Sequence, residues 1–120
     1  MVTNMAMLFS IGKNLTAGTA NTIFTVPDGH HAKVSMLWIA NSTGSTKSIQ
    51  GSWVKADGTI IPFQGAKSVA SGETLKFGGE YGYFLIMKDG DYLRLTPEAS
   101  STFSCLCTFE LIPYPASDYF

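Results

Sequence analysis

The side chains best suited to catalysis or metal binding are few: two histidines, two cysteines and nine carboxylates. Their spacing limits what they can do. His30 and His31 are adjacent and follow a turn, so in an extended segment they face opposite ways. Nucleophilic catalysis needs a nucleophile beside a base that a third group holds in place, and neighbouring histidines on opposite faces do not supply that arrangement. Cys105 and Cys107 would share one face of a strand at about 7 Å, at or beyond the Cα range of a disulfide. They read as free thiols. A zinc site on Cys-x-Cys would need further ligands, and only the two histidines are on offer. Asp89 and Asp91 flank Gly90 and could share a calcium ion with backbone oxygens. A calcium loop gathers more carboxylates over a longer stretch, however, and turn formation explains both. Asp57, Glu73, Glu80, Glu98 and Glu110 read as turn or surface residues, with no pair indicated for glycoside hydrolysis. The nucleophile elbow, the phosphate loop and the His-Glu-x-x-His helix are all missing from the sequence. Gly78, Gly79 and Gly82, around Glu80 and Tyr81, read as a bend before a strand. The expectation is a protein that is not an enzyme and uses no cofactor and no metal.

Charged residues make up only 14% of the chain, with a formal net charge of -1. That is well under the roughly 25% of an average globular protein. Scattered Lys and Arg give no footprint for a phosphate backbone, so nucleic acid is not an expected partner. The longest apolar runs, 36–40 and 83–87, fall far short of the ~20 residues that span a bilayer, so no membrane role is expected either. Residues 1–9 lack a basic start and a small-residue cleavage pattern, which points to synthesis in a cytoplasm. A surface rich in Ser, Thr and Gly is weakly protected from association. It suits a component of an assembly or a plain monomer.

The elements that must position these residues are strands. No window has helical periodicity, whereas short β-branched and aromatic runs alternate with Gly, Asp, Asn, Ser and Pro every eight to twelve residues or so. The expected strands are 5–11, 22–26, 32–40, 47–55, 59–64, 73–77, 83–87, 92–96 and 101–112, nine at most because the first could be an arm. The predicted fold is all-β, an antiparallel β-sandwich or jelly-roll-like barrel of about eight strands. Its expected division is a strand or arm over 1–20, the sandwich over 21–113 and an aromatic tail over 114–120. Asp28-Gly29, Asp57-Gly58 and Asp89-Gly90 mark tight turns, expected to close hairpins. Alternation places Val34, Met36, Trp38 and Ala40 on one face of a central third strand, and Phe103, Cys105, Cys107, Phe109 and Leu111 on the buried face of the last. Trp38 and Trp53 are expected in the core. An exposed pair would instead suit a carbohydrate-binding module.

The ends carry the candidate contact residues. Pro113 and Pro115 stop a central strand, leaving Tyr114, Tyr119 and Phe120 either to fold back or to dock on a neighbour. Met5, Leu8 and Phe9 pose the same choice at the N-terminus, and Tyr81 and Tyr83 are weaker candidates.

Residues 21–113 carry a series of motifs: Thr22-Ile23-Phe24-Thr25-Val26-Pro27-Asp28-Gly29, Ile39-Ala40-Asn41-Ser42-Thr43-Gly44, Trp53, Gly72-Glu73-Thr74-Leu75 and Gly90-Asp91-Tyr92-Leu93. This pattern resembles small β-sandwich virion proteins of tailed phages, particularly marine and cyanobacterial ones. The resemblance implies a decoration (cement) protein on the capsid exterior, or else a tail or fibre-base attachment protein. Its partner would be the major capsid protein or tail proteins of the same particle. A homo-oligomer, with a trimer fitting many capsid sites, is compatible.

Overall fold

A computed structural model describes residues 6–79 and 84–114. They form nine strands: β1 (Met7–Asn14), β2 (Asn21–Thr25), β3 (His30–Asn41), β4 (Lys47–Val54), β5 (Ile60–Val69), β6 (Thr74–Gly78), β7 (Leu85–Lys88), β8 (Tyr92–Pro97) and β9 (Phe103–Pro113). One sheet runs β1-β9-β3-β6, with β7 also on β3, and the other runs β2-β8-β4-β5. All pairings are antiparallel. The fold is the expected β-sandwich. β6 and β7 lie along successive stretches of β3, and Gly79 N–H and Phe84 N–H donate to the carbonyls of Ser35 and Val34 at the break. Counted as one interrupted edge, they leave eight strands in the jelly-roll order.

The inner faces supply one core, with Val34, Leu37, Ile39, Met87, Leu93, Leu95, Phe103 and Cys107 among its most buried members. The last strand alternates as expected, with Phe103, Cys105, Cys107 and Phe109 inside. Two pieces of the sandwich are aromatic. Phe24, Phe109 and Phe9 form a stack, with centroids 3.9 Å and then 5.6 Å apart. On the opposite side Phe63 meets Phe77 and Phe84, tying β5 to the β6/β7 edge. Phe63 lies directly over Gly51, where a Cβ would strike its ring. Gly78 turns with φ of 73° against the Ser35 carbonyl, which leaves no room for a side chain.

Two expectations are corrected. Of the three Asp-Gly turns, only Asp57-Gly58 closes a hairpin, with Lys55 N–H donating to Thr59 O and Thr59 N–H to the Asp57 carboxylate. The other two cross between sheets, because β2 and β7 each hand over to a strand of the opposite layer. These crossings pair with each other: Val26 N–H donates to Asp91 O, and Gly90 N–H to Val26 O. Trp38 is not in the core. A bulge between Val34 and Met36 shifts the register on β9, so Val34 points inward but Leu37 and Ile39, not Met36 and Trp38, continue the buried face.

Candidate interaction surface

The residues that looked able to do chemistry have structural roles. Asp91 is almost fully buried and accepts from Trp53 Nε1 (2.9 Å), Ala56 N (3.0 Å), Lys88 N (3.0 Å) and Lys55 Nζ (3.3 Å). Burial pushes its carboxyl up, but hydrogen bonds from Lys88, Trp53, Ala56 and Lys55 outweigh that and hold it below the usual carboxylate range. With both oxygens engaged by four donors, it fastens the β4–β5 turn to the β7–β8 crossing. Asp89 accepts from Gly29 N–H at 3.4 Å. Among the described residues no group of three or more His, Cys, Asp or Glu is placed to hold a metal ion. Cys105 and Cys107 are buried free thiols, and burial raises Cys105 and pushes Cys107 up to about 12. His30 Nδ1 lies 2.9 Å from Asp28 O, while His31 stacks on Tyr114 at 5.3 Å.

The motif residues are equally structural. Asn41, also buried, donates to Val69 O (2.8 Å) and Ser45 O (3.0 Å) and accepts from Thr43 N (2.8 Å), bracing the loops at the other end of the sandwich. Gly72 N–H donates to Asn41 O and Asn41 N–H to Glu73 O, so the Gly-Glu-Thr-Leu segment leads β6 onto β3.

One surface that folding leaves unexplained is the outer face of the β1-β9-β3-β6 sheet; Ile60 and Ile61 on β5 are exposed on the other sheet. The register sets Gly12, Leu106, Trp38 and Lys76 in one row across four strands. Leu8, Glu110, Lys33 and Ile86 form another. Between them lie Ser10, Thr108 and Met36. Trp38 is 42% exposed between buried Leu37 and Ile39, and Leu8 is 77% exposed. Ile86 is likewise exposed between buried Leu85 and Met87. A sheet face on which no described element packs is ordinarily polar, so the exposed indole and the aliphatic side chains there form the candidate contact surface. Beside Trp38 a shallow groove of about 190 Å³ is lined by Ala40, Thr74, Ser104, Cys105 and Leu106. This is smaller than the roughly 300–1,000 Å³ of ordinary small-molecule pockets.

Of the contact residues expected from sequence, Leu8 lies on this face. Phe9 lies on the opposite side of β1, ending the phenyl stack, and Tyr114 packs on His31 near the β2–β3 crossing. Met5, Tyr81, Tyr83, Tyr119 and Phe120 lie outside the described residues. Trp38, Leu106 and Ile86 were missed. For Ile86 and Leu106 the signal was present, since each alternates with core residues. For Trp38 it was hidden by the bulge.

No family model matches the sequence. No curated protein matches it either. Solved structures do match in fold. One is a subunit of Bacillus endospore appendages, described as a family of disulfide-linked pili, with TM-score 0.59 and 13% identity over 95% of this chain and 93% of that one. Another is a chain of the T13 particle of infectious bursal disease virus, with TM-score 0.56 and 10% identity over 91% of this chain. The Gx strain of that virus gives TM-score 0.53 and 10% identity over 97% of this chain. This chain spans about a third of each viral chain, 31% and 35%. At such identities the likeness concerns the fold.

Proposed function

We propose that this chain is a non-enzymatic structural protein of a phage particle, a decoration protein that lies on the capsid exterior and stabilises it by adhesion. The observation that carries the reading is the set of exposed or half-buried apolar side chains, Trp38, Leu106, Leu8 and Ile86, on the outer face of the β1-β9-β3-β6 sheet. It spans four strands, with Lys76, Glu110 and Lys33 set among its apolar side chains, which suits another protein surface better than a small ligand. A large aromatic anchor is a usual energetic centre of such an interface. Leu8 belongs to this face. Met5, Phe9, Tyr114, Tyr119 and Phe120 are proposed as further contacts away from this face or outside the described residues. Fold neighbours drawn from a pilus and a viral particle support an assembly role, as does the motif resemblance to phage virion proteins. The partner is then the major capsid protein, with the protein made in the host cytoplasm and resident in the virion. Attachment at a tail or fibre base is the alternative site on the same particle.

A second reading draws on the same indole. Trp38 beside Thr74 and Ser104 could stack a neutral sugar. Purified protein added back to particles stripped of it tests both. Wild-type protein should cosediment with the particles and Trp38→Glu should not, with free sugars having no effect. Displacement by a sugar would favour the carbohydrate reading, and equal sedimentation of both proteins would remove the face from consideration.

A further inference from the structure

Exposed sheet edges invite unwanted pairing, and proteins blunt them with short strands, prolines, bulges and charges. Three edges of this sandwich are blunted in that way. β2 has five residues and a bulge at Ile23. β5 carries Pro62 and Lys67 and runs in irregular register against β4. The β6/β7 edge is interrupted and bears Lys76 and Lys88. β1 is different. It pairs with β9 over eight residues without a register shift, contains no proline, and has Lys13 as its sole charge. Among the described residues no strand pairs its other side.

The direction of its free groups follows from one hydrogen bond. Leu15 N–H donates to Phe103 O at 2.9 Å, and the pair continues the β1–β9 register. Hydrogen-bonded and non-hydrogen-bonded pairs alternate along an antiparallel ladder. Lys13, Ile11, Phe9 and Met7 therefore bond to β9, while the N–H and C=O groups of Leu8, Ser10, Gly12 and Asn14 point away from it.

We infer that this open edge pairs with β1 of a second copy of the chain, antiparallel about a two-fold axis at Ile11. In that register Leu8 faces Asn14 of the second copy and Ser10 faces Gly12, so all four outward-pointing residues are matched. The arrangement is self-complementary, as a two-fold interface must be. Each Lys13, whose ammonium donates to Thr22 O of its own chain at 2.7 Å, falls opposite Phe9 of the other copy. The two Lys13 residues stand about 14 Å apart, four strand residues, so no like charges oppose each other. The joined sheet is eight strands across, within the size that twisted sheets commonly reach. Trp38 and Leu106 remain uncovered, so the pairing is independent of the particle reading. Where both hold, the dimer would present two adhesive faces side by side and bind with avidity.

Sedimentation equilibrium on the purified full chain tests the pairing. A monomer–dimer equilibrium is expected for the wild type and a monomer for Ser10→Pro, whose lost N–H faces away from β9 and so leaves the native ladder intact. A wild-type monomer at all concentrations, a trimer, or a Ser10→Pro dimer would overturn the inference. Should Ser10→Pro fail to fold, hydrogen exchange on the wild type decides. The amides of Leu8, Ser10, Gly12 and Asn14 should exchange roughly tenfold or more slowly in concentrated than in dilute solution. Equal exchange would exclude the pairing.

Discussion

Trp53 donates its indole N–H to the buried carboxylate of Asp91 across 2.9 Å, joining the β4–β5 hairpin to the crossing between β7 and β8. Three further donors converge on the same carboxylate. Replacing Asp91 by Ala would leave Ala56 N–H, Lys88 N–H and Trp53 Nε1 without their acceptor. The expected loss is about 3–5 kcal/mol in urea unfolding.

The same group gives a pH dependence. Its proton is held less firmly in the folded than in the unfolded chain, because the folded-state pKa is depressed. Its contribution is therefore full above the unfolded pKa of about 4 and is lost as pH falls through the lower folded value. Asp91→Asn should be the less stable protein at neutral pH, with the gap to wild type narrowing in acid. Chemical denaturation at several pH values from neutral to strongly acidic would show it, and a constant gap would contradict the assignment.

Gly51 and Gly78 are places where a methyl group cannot be added. At Gly51 the obstacle is the Phe63 ring, and at Gly78 it is the Ser35 carbonyl together with a positive φ. Either substitution to Ala should cost roughly 1–3 kcal/mol by thermal or urea unfolding. Gly44→Ala, with open space around the site, should cost far less.

Much of this fold was legible because its alternation is strong and its turns are chemically explicit. Phe103, Cys105, Cys107 and Phe109 could be placed on one buried face from the sequence, and they lie there. Trp38 could not, because a single bulged residue at Ser35 reverses the faces of β3 and nothing local marks it. The two sheet-crossing turns escaped for a related reason: Asp-Gly specifies a tight reversal but not which layer the next strand joins. Leu8 was recognised as a contact candidate by its place in an apolar terminal run. Ile86 and Leu106 need the cross-strand register before they are seen to share a surface with it.

The two thiols should be inert in the native protein. Both are buried with raised pKa values, Cys107 to about 12, so little thiolate forms at pH 8 and reagent access is blocked. Ellman's reagent should therefore react with neither until denaturant is added, and then with both. Rapid labelling of the folded chain would contradict the packing of β9.

The two indoles should differ in solution. Trp38 is exposed, while Trp53 is half-buried, packs against the core and is hydrogen-bonded. Iodide should quench one fraction of the fluorescence readily, and Trp38→Phe should remove that fraction. Trp38→Ala should change stability by only about 0.5 kcal/mol, because the side chain supports no core contact.

The central claim is that this chain is a particle component that adheres through the outer face of its β1-β9-β3-β6 sheet. Its most direct test is quantitative mass spectrometry of gradient-purified virions of a phage carrying the gene for this chain. The account predicts that the protein bands with intact capsids in large copy number, on the order of one or more per capsid subunit cluster, and that Trp38→Glu removes it from them. Its absence from purified particles would contradict the account, as would undiminished incorporation of Trp38→Glu.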